Sequence, residues 1–208
     1  MQYTPSDQYP ESDIWQKKTV KTYEDNLAAY LDKTPEKPTW EMKERLDTLL
    51  TYSFPGASIL EFGTWTWRDA DYFQSLGYTV QRSDIATSFL VYNTQREQEI
   101  ISLDLLEYRH DWVYDILFAN AVFLHFTPPQ LEKILGSIKK NLLVGWILGC
   151  SFKKWIWEEL STEKMPSPRY FKYRQEDELA VVFGDQGYTI VDMTTTGDDK
   201  WIHLIAKK

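Results

Sequence analysis

Residues 57–85 leave this chain few folds to choose from. Residues 58–62, Ser-Ile-Leu-Glu-Phe, form a short apolar run with an acid beside its end. Residues 68–76 carry Ala70, Tyr72, Phe73 and Leu76 at helical spacing. Gly77 follows the last of them, where a helix C-terminus takes up a left-handed conformation. Residues 78–83 then alternate β-formers with polar side chains, and Asp84 closes the run. Strand, tight turn, helix and strand in so short a span make half of a doubly wound α/β fold. Ligands of such folds sit at the carboxyl ends of the strands, where this chain places Glu61 and Asp84.

The flanking sequence extends that unit. A helix is expected over residues 14–31, with Tyr23, Leu27, Tyr30 and Leu31 at apolar positions, until Pro35 and Pro38 break it. Thr39 is placed to cap a second helix that presents Met42, Leu46, Leu49 and Leu50 on one face. After Asp84 the pattern predicts a helix over 86–97, a strand over 100–103 closed by Asp104, and a strand over 114–120. The 114–120 run is almost continuously apolar, as in a sheet covered on both faces. Thr127-Pro128-Pro129 starts a helix that runs to about Leu142, and 146–152 is a further strand. Residues 153–170 show no period and contain Pro166 and Pro168, so they read as a loop or lid. A helix over 175–185 precedes two β-rich runs, 188–195 and 201–206, joined as a hairpin. Residues 1–12 read as a loose arm. Residues 1–56 are thus expected to form an arm and helical cap, and 57–208 a Rossmann-like domain continuous with it.

Glu61-Phe62-Gly63-Thr64-Trp65-Thr66-Trp67-Arg68-Asp69 resembles the first motif of class I S-adenosylmethionine-dependent methyltransferases of the small, single-domain kind, an acid followed by a glycine-rich turn. Asn120-Ala121-Val122-Phe123-Leu124-His125 is similar to the segment that follows strand 4 in that family. The resemblance implies a Rossmann-like, mostly parallel seven-stranded sheet, its last strand antiparallel and inserted between the fifth and sixth. It implies S-adenosyl-L-methionine as cofactor. Glu61, Gly63, Asn120 and Ala121 would then lie along its amino-acid half, with Arg68 at the start of the helix after the turn and Tyr23 near the cofactor. Asp84 would accept from the ribose hydroxyls, Ile85 would pack on the adenine, and Asp104 and Leu105 would read its edge. Residues alone leave Asp84 open, because NAD-binding proteins place an acid about twenty residues past the turn for the same purpose. His125 is the candidate catalytic base, since imidazole titrates near working pH. Tyr170 and Tyr173 follow the lid stretch as substrate-facing or packing residues.

The departure from the family pattern is the loss of glycine. Trp65 and Trp67 stand where the turn's later glycines belong, and Trp146 follows Gly145 where Pro-Gly-Gly is usual. Three explanations follow: a methyltransferase-like binding protein whose cofactor turn is blocked by Trp65 and Trp67, a turn whose indoles leave the cofactor room, or a decoding exchange. UGA encodes tryptophan in some genetic codes and glycine in others, and all these exchanges run in one direction.

Composition narrows the remaining classes. Of 208 residues, 43% are hydrophobic, which provides for a sizeable core. A net charge of −8 argues against a dedicated nucleic-acid surface. Cys150 is the single cysteine, so neither an intramolecular disulfide nor a cysteine-rich zinc site is expected, and no metal is. No apolar run approaches the ~20 residues of a membrane span. The expectation is a cytoplasmic monomer or homodimer that methylates a small molecule. An NAD(P)-dependent oxidoreductase fits less well, because the turn lacks the G-x-G-x-x-G pattern.

Overall fold

The computed structural model describes residues 12–109, 111–163 and 165–208. The loose arm read over residues 1–12 lies outside these except for Ser12, and His110 lies outside them too. The elements in chain order are α1 (Ser12–Asp25), α2 (Leu27–Lys33), α3 (Trp40–Thr51), β1 (Ser58–Phe62), α4 (Arg68–Ser75), β2 (Thr79–Asp84), α5 (Thr87–Gln95) and β3 (Ile100–Ser102). They continue with β4 (Tyr114–Ala119), α6 (Pro128–Ile138), β5 (Leu142–Lys153), β6 (Glu158–Ser161), β7 (Arg169–Lys172), α7 (Glu176–Asp185), β8 (Thr189–Thr196) and β9 (Trp201–Lys207).

Seven strands form one sheet in the order β3-β2-β1-β4-β5-β9-β8. β1 through β5 run parallel, whereas β9 pairs antiparallel with both β5 and β8. The last strand is therefore inserted next to β5, as the resemblance implied. Helices cover both faces. Leu46, Leu49, Ala70 and Phe73 from α3 and α4 pack with Ile59 and Ile116. Leu131, Ile134, Leu179 and Phe183 from α6 and α7 pack with Leu60, Leu117 and Leu148 on the other face. Gly149 in β5 allows α3 its close approach, because a Cβ there would lie 2.5 Å from Leu49 Cδ1.

Two readings of the sequence change. The helix expected over 14–31 is two helices that break at Asn26, whose Nδ2 turns back to donate to the Thr22 carbonyl at 2.8 Å. The apolar period runs through that break, so pattern alone hides it. The 153–170 stretch is no plain loop: β6 and β7 pair antiparallel in a small second sheet. Each strand is four residues long, too short for alternation to register. α1 ties this hairpin down, for Thr19 Oγ1 accepts from Tyr170 N at 2.9 Å, Thr22 Oγ1 donates to the Pro168 carbonyl at 2.7 Å, and Trp15 stacks on Tyr170. Tyr170 is thereby a packing residue. α1 and the β6–β7 hairpin together roof the carboxyl ends of β1, β2 and β4.

Candidate functional site

The turn after β1 is built on buried hydrogen bonds. Glu61, next to last in β1, is almost fully buried and accepts from the Thr64 hydroxyl, while Thr64 N donates to the Ser83 carbonyl of β2 at 2.9 Å. Burial, and then the Asp69 carboxylate beside it, push the Glu61 carboxyl well above its ordinary range. Gly63 sits at φ +63°, and a Cβ there would lie 2.7 Å from Val122 Cγ2. Only glycine lets the β1 turn lie against the loop that follows β4.

A second network holds that loop. Arg68 Nε and Nη2 fork onto Asp69 at 2.7 and 3.1 Å, and Asp69 Oδ2 accepts from Asn120 Nδ2 at 2.8 Å. Asn120 Oδ1 in turn accepts from Ser151 Oγ at 2.7 Å, and Ser151 Oγ accepts from Ala121 N at 2.8 Å. Ala121 takes a left-handed φ of 56°. Arg68 and Asn120 are thus brought together around one slot with Glu61.

Asp84 ends β2 with both carboxylate oxygens engaged, Oδ1 by Ala86 N at 2.9 Å and Oδ2 by Trp65 N at 3.2 Å. Burial raises its pKa to about 6 despite these donors. It faces a narrow cavity of about 80 Å³ whose walls include Phe62, Ile85, Phe89, Leu105 and Phe126. Asp104 lies on the same cavity, where its Oδ1 also caps a 3-10 turn by accepting from Leu106 N at 2.9 Å. An apolar slot with a carboxylate near each end suits a flat heterocycle carrying hydroxyl and amino donors. Asp84, Ile85, Asp104 and Leu105 therefore share one wall system, and Glu61 and Arg68 lie beyond it on the far side of Trp65.

The two tryptophans part company. Both have left-handed backbones, φ 51° at Trp65 and 74° at Trp67, a region bulky residues avoid. Trp67 caps α4 and turns away from the cavity: its ring stacks on Tyr92 with centroids 5.0 Å apart, and the Arg96 guanidinium sits 3.5 Å from its centroid. Trp65 does the opposite. Its indole meets Tyr30 edge-on at 5.0 Å and lines the narrow cavity, the slot at Glu61 and a wider cleft of about 350 Å³ under the roof. The slot between Glu61 and Asn120 retains only about 10 Å³.

His125 stands at the junction of cavity and cleft. Its Nδ1 lies 2.7 Å from the Tyr170 carbonyl and its Nε2 3.0 Å from the Tyr23 hydroxyl. A carbonyl only accepts, so Nδ1 carries the proton and Nε2 takes the phenol's. Burial above all, then the nearby Arg169 and Lys153 charges, lower the His125 pKa to about 3. The imidazole is neutral with both nitrogens occupied, and it lines the cleft beside Tyr23. Arg169 Nη1 donates to the Tyr23 hydroxyl at 3.1 Å and completes a row Arg169–Tyr23–His125. Arg169 was not visible as a site residue, because it falls in the stretch without period; Arg-Tyr-Phe, a cation beside two aromatics, is the signal it offers. The remaining described histidine, His203, bonds Thr196 at 2.9 Å.

No protein-family model matches the sequence, and no curated protein sequence does. Solved structures do match. Over its whole length the chain superposes on 92% of 1,6-didemethyltoxoflavin-N1-methyltransferase from Burkholderia thailandensis, with a TM-score of 0.73 at 17% identity. That structure holds S-adenosylhomocysteine and 1,6-didemethyltoxoflavin. The fold is that of the S-adenosylmethionine-dependent methyltransferases. The CcbJ methyltransferase of Streptomyces caelestis is matched with a TM-score of 0.72 at 13% identity, over 89% of this chain and 97% of that one. A methyltransferase of Methanosarcina mazei gives 0.66 at 16%, over 77% and 96%. No helix of the described residues is long and apolar enough to cross a membrane.

Proposed function

We propose that the chain is an S-adenosylmethionine-dependent methyltransferase acting on a small-molecule nucleophile. One observation carries this reading: Tyr23, Trp65, Ala121 and His125 line both the narrow cavity at the strand ends and the wider cleft under the roof. Two ligand spaces that share one throat are what a group transfer between two bound molecules needs.

The fit to the cofactor is good at one end. Asp84 would take the ribose hydroxyls, Ile85 and Leu105 would sandwich the adenine, and Asp104 would accept from its amino group. At the amino-acid end Glu61, Gly63, Arg68 and Asn120 are assembled, but with Trp65 among them the slot retains only about 10 Å³. The cofactor, when bound, supplies an electrophilic methyl group. The chain's own part is to hold the acceptor in line. The Tyr23 hydroxyl is placed to orient it, already donating to Nε2 of His125 and accepting from Arg169. With its pKa lowered to about 3, His125 holds that hydrogen bond rather than a proton, so the site suits an acceptor that gives up its proton without a strong base.

Titration calorimetry of S-adenosylhomocysteine into the unchanged chain, Trp65→Gly and Trp67→Gly tests this. Binding by the unchanged chain or by Trp65→Gly is the expected result, with Trp67→Gly resembling the unchanged chain. If neither the unchanged chain nor Trp65→Gly binds, the methyltransferase reading fails, and a binding protein with a closed cofactor turn takes its place.

A further inference from the structure

Arg169 is 5% exposed, yet among the described residues it makes no ion pair. Its Nη1 and Nη2 donate to neutral oxygens, the Tyr23 hydroxyl and the Glu163 carbonyl, and its Nε is buried with no acceptor. The other cations around the cleft include Arg68, spent on Asp69, and Lys153, spent on Glu163 at 2.6 Å. A buried guanidinium without a carboxylate is costly to keep. Of the carboxylates that line the cleft, Glu163 is taken by Lys153, and none pairs with Arg169 among the described residues. Aromatic rings flank the guanidinium, with the Phe171 centroid 4.9 Å and the Tyr23 centroid 5.4 Å away, and Trp201 adds a further ring to the cleft.

We propose that Arg169 is an anion-binding residue of the acceptor cleft and that the acceptor is a planar aromatic acid, its carboxylate set against Arg169 and its ring against Phe171 and Trp201. The proposal deepens the methyltransferase reading and rests on it for the word acceptor; the anion site itself does not. A carboxylate has a second possible source, the amino-acid end of the cofactor, and the test separates the two.

Salicylate and its neutral counterpart salicylamide serve as probes, with binding followed by tryptophan fluorescence of the full chain and by chemical shifts. On the unchanged chain salicylate is expected to bind about tenfold or more tightly than salicylamide, as charge-assisted pairing to a guanidinium requires. Arg169→Gln should abolish that preference, and Arg169→Lys should restore part of it as a point charge. Equal binding of the two probes by the unchanged chain, or no binding of either, overturns the proposal without needing any variant to fold. In the Trp65→Gly background, S-adenosylhomocysteine is compared with 5′-methylthioadenosine, which lacks the amino-acid end. If Arg169→Gln weakens only S-adenosylhomocysteine there, the carboxylate belongs to the cofactor, and the acceptor assignment is overturned. If S-adenosylhomocysteine does not bind at all while the salicylate preference persists, the methyltransferase reading falls and the anion site stands.

Discussion

Replacing Trp65 separates the two effects that its position combines. Its φ of 51° is left-handed, which costs a residue with a Cβ about 1–2 kcal/mol. Glycine removes that strain but adds roughly 0.5–1 kcal/mol of chain entropy. The indole loses two aromatic partners, Tyr30 edge-on at 5.0 Å and Tyr23 tilted at 6.5 Å, each worth about 0.5–1.5 kcal/mol, plus half-buried surface on the cleft. Trp65→Gly should therefore lower stability by about 1–2 kcal/mol. Trp67 has a similar φ, 74°, but is 8% exposed, stacked on Tyr92 and covered by Arg96. Truncating so enclosed an aromatic costs about 3–5 kcal/mol before strain relief, or about 2–3 after it. Urea unfolding of the two variants reads the difference as a shift in midpoint at constant m-value. Trp65→Ala isolates the backbone contribution, because it removes the indole and keeps the strain: it should be less stable than Trp65→Gly by about 0.5–1 kcal/mol. An alanine variant as stable as the glycine one would refute the strain argument. A Trp65→Gly variant less stable than Trp67→Gly would refute the view that Trp65 plugs a ligand space rather than packing a core.

Adenosine binding to the unchanged chain should strengthen about tenfold between pH 5 and pH 7, because accepting ribose hydroxyls needs the Asp84 carboxylate and its pKa is raised to about 6; Asp84→Asn should flatten that profile in calorimetry. The same shift makes Asp84 a liability to folding as pH rises: the folded state holds the proton more tightly than the unfolded chain, so this contribution to stability is present below the ordinary carboxylate pKa and lost as pH passes through about 6. Tyr23→Phe removes the donor that holds His125 Nε2 in its neutral form, and the His125 pKa, followed by nitrogen-15 shifts, should rise from about 3. Gly63→Ala forces a Cβ to 2.7 Å from Val122 Cγ2 at φ +63°, and should cost about 1–3 kcal/mol in urea unfolding.

The main sheet was legible because its signals are local. The apolar runs of β1 and β4, the Thr127-Pro128-Pro129 start of α6 and the Gly187 stop after α7 each act within a few residues. The antiparallel β9 between β5 and β8 came from the family resemblance, since no spacing encodes which strand lies beside which. What was missed is non-local. Asn26 breaks a helix whose period continues through it, and the four-residue strands β6 and β7 exist because α1 holds them at Thr19 and Thr22. Arg169 gains its meaning only from that pairing, and so does the engagement of both His125 nitrogens, which ties a residue read as an independent base to Tyr23 and the β7 backbone.

The tryptophans show how much a backbone can add to a composition argument. In the sequence, Trp65, Trp67 and Trp146 form one class, each standing where glycine is usual. In the structure they divide. Positions 65 and 67 have left-handed φ and would be relieved by glycine on conformational grounds alone. Position 146 would not: the left-handed residue there is Gly145, at φ 89°, and Trp146 packs its ring 5.0 Å from Phe54. Remodelling of a single turn accounts for the first two and says nothing of the third, whereas a decoding exchange would take all three together. The codons discriminate: UGG at 65, 67 and 146 excludes the exchange and makes Trp65 a resident plug, while UGA at all three makes glycine the residue at each and opens the slot beside Glu61. The stability order predicted above holds for the written sequence in either case, because it depends only on the φ and burial of each indole.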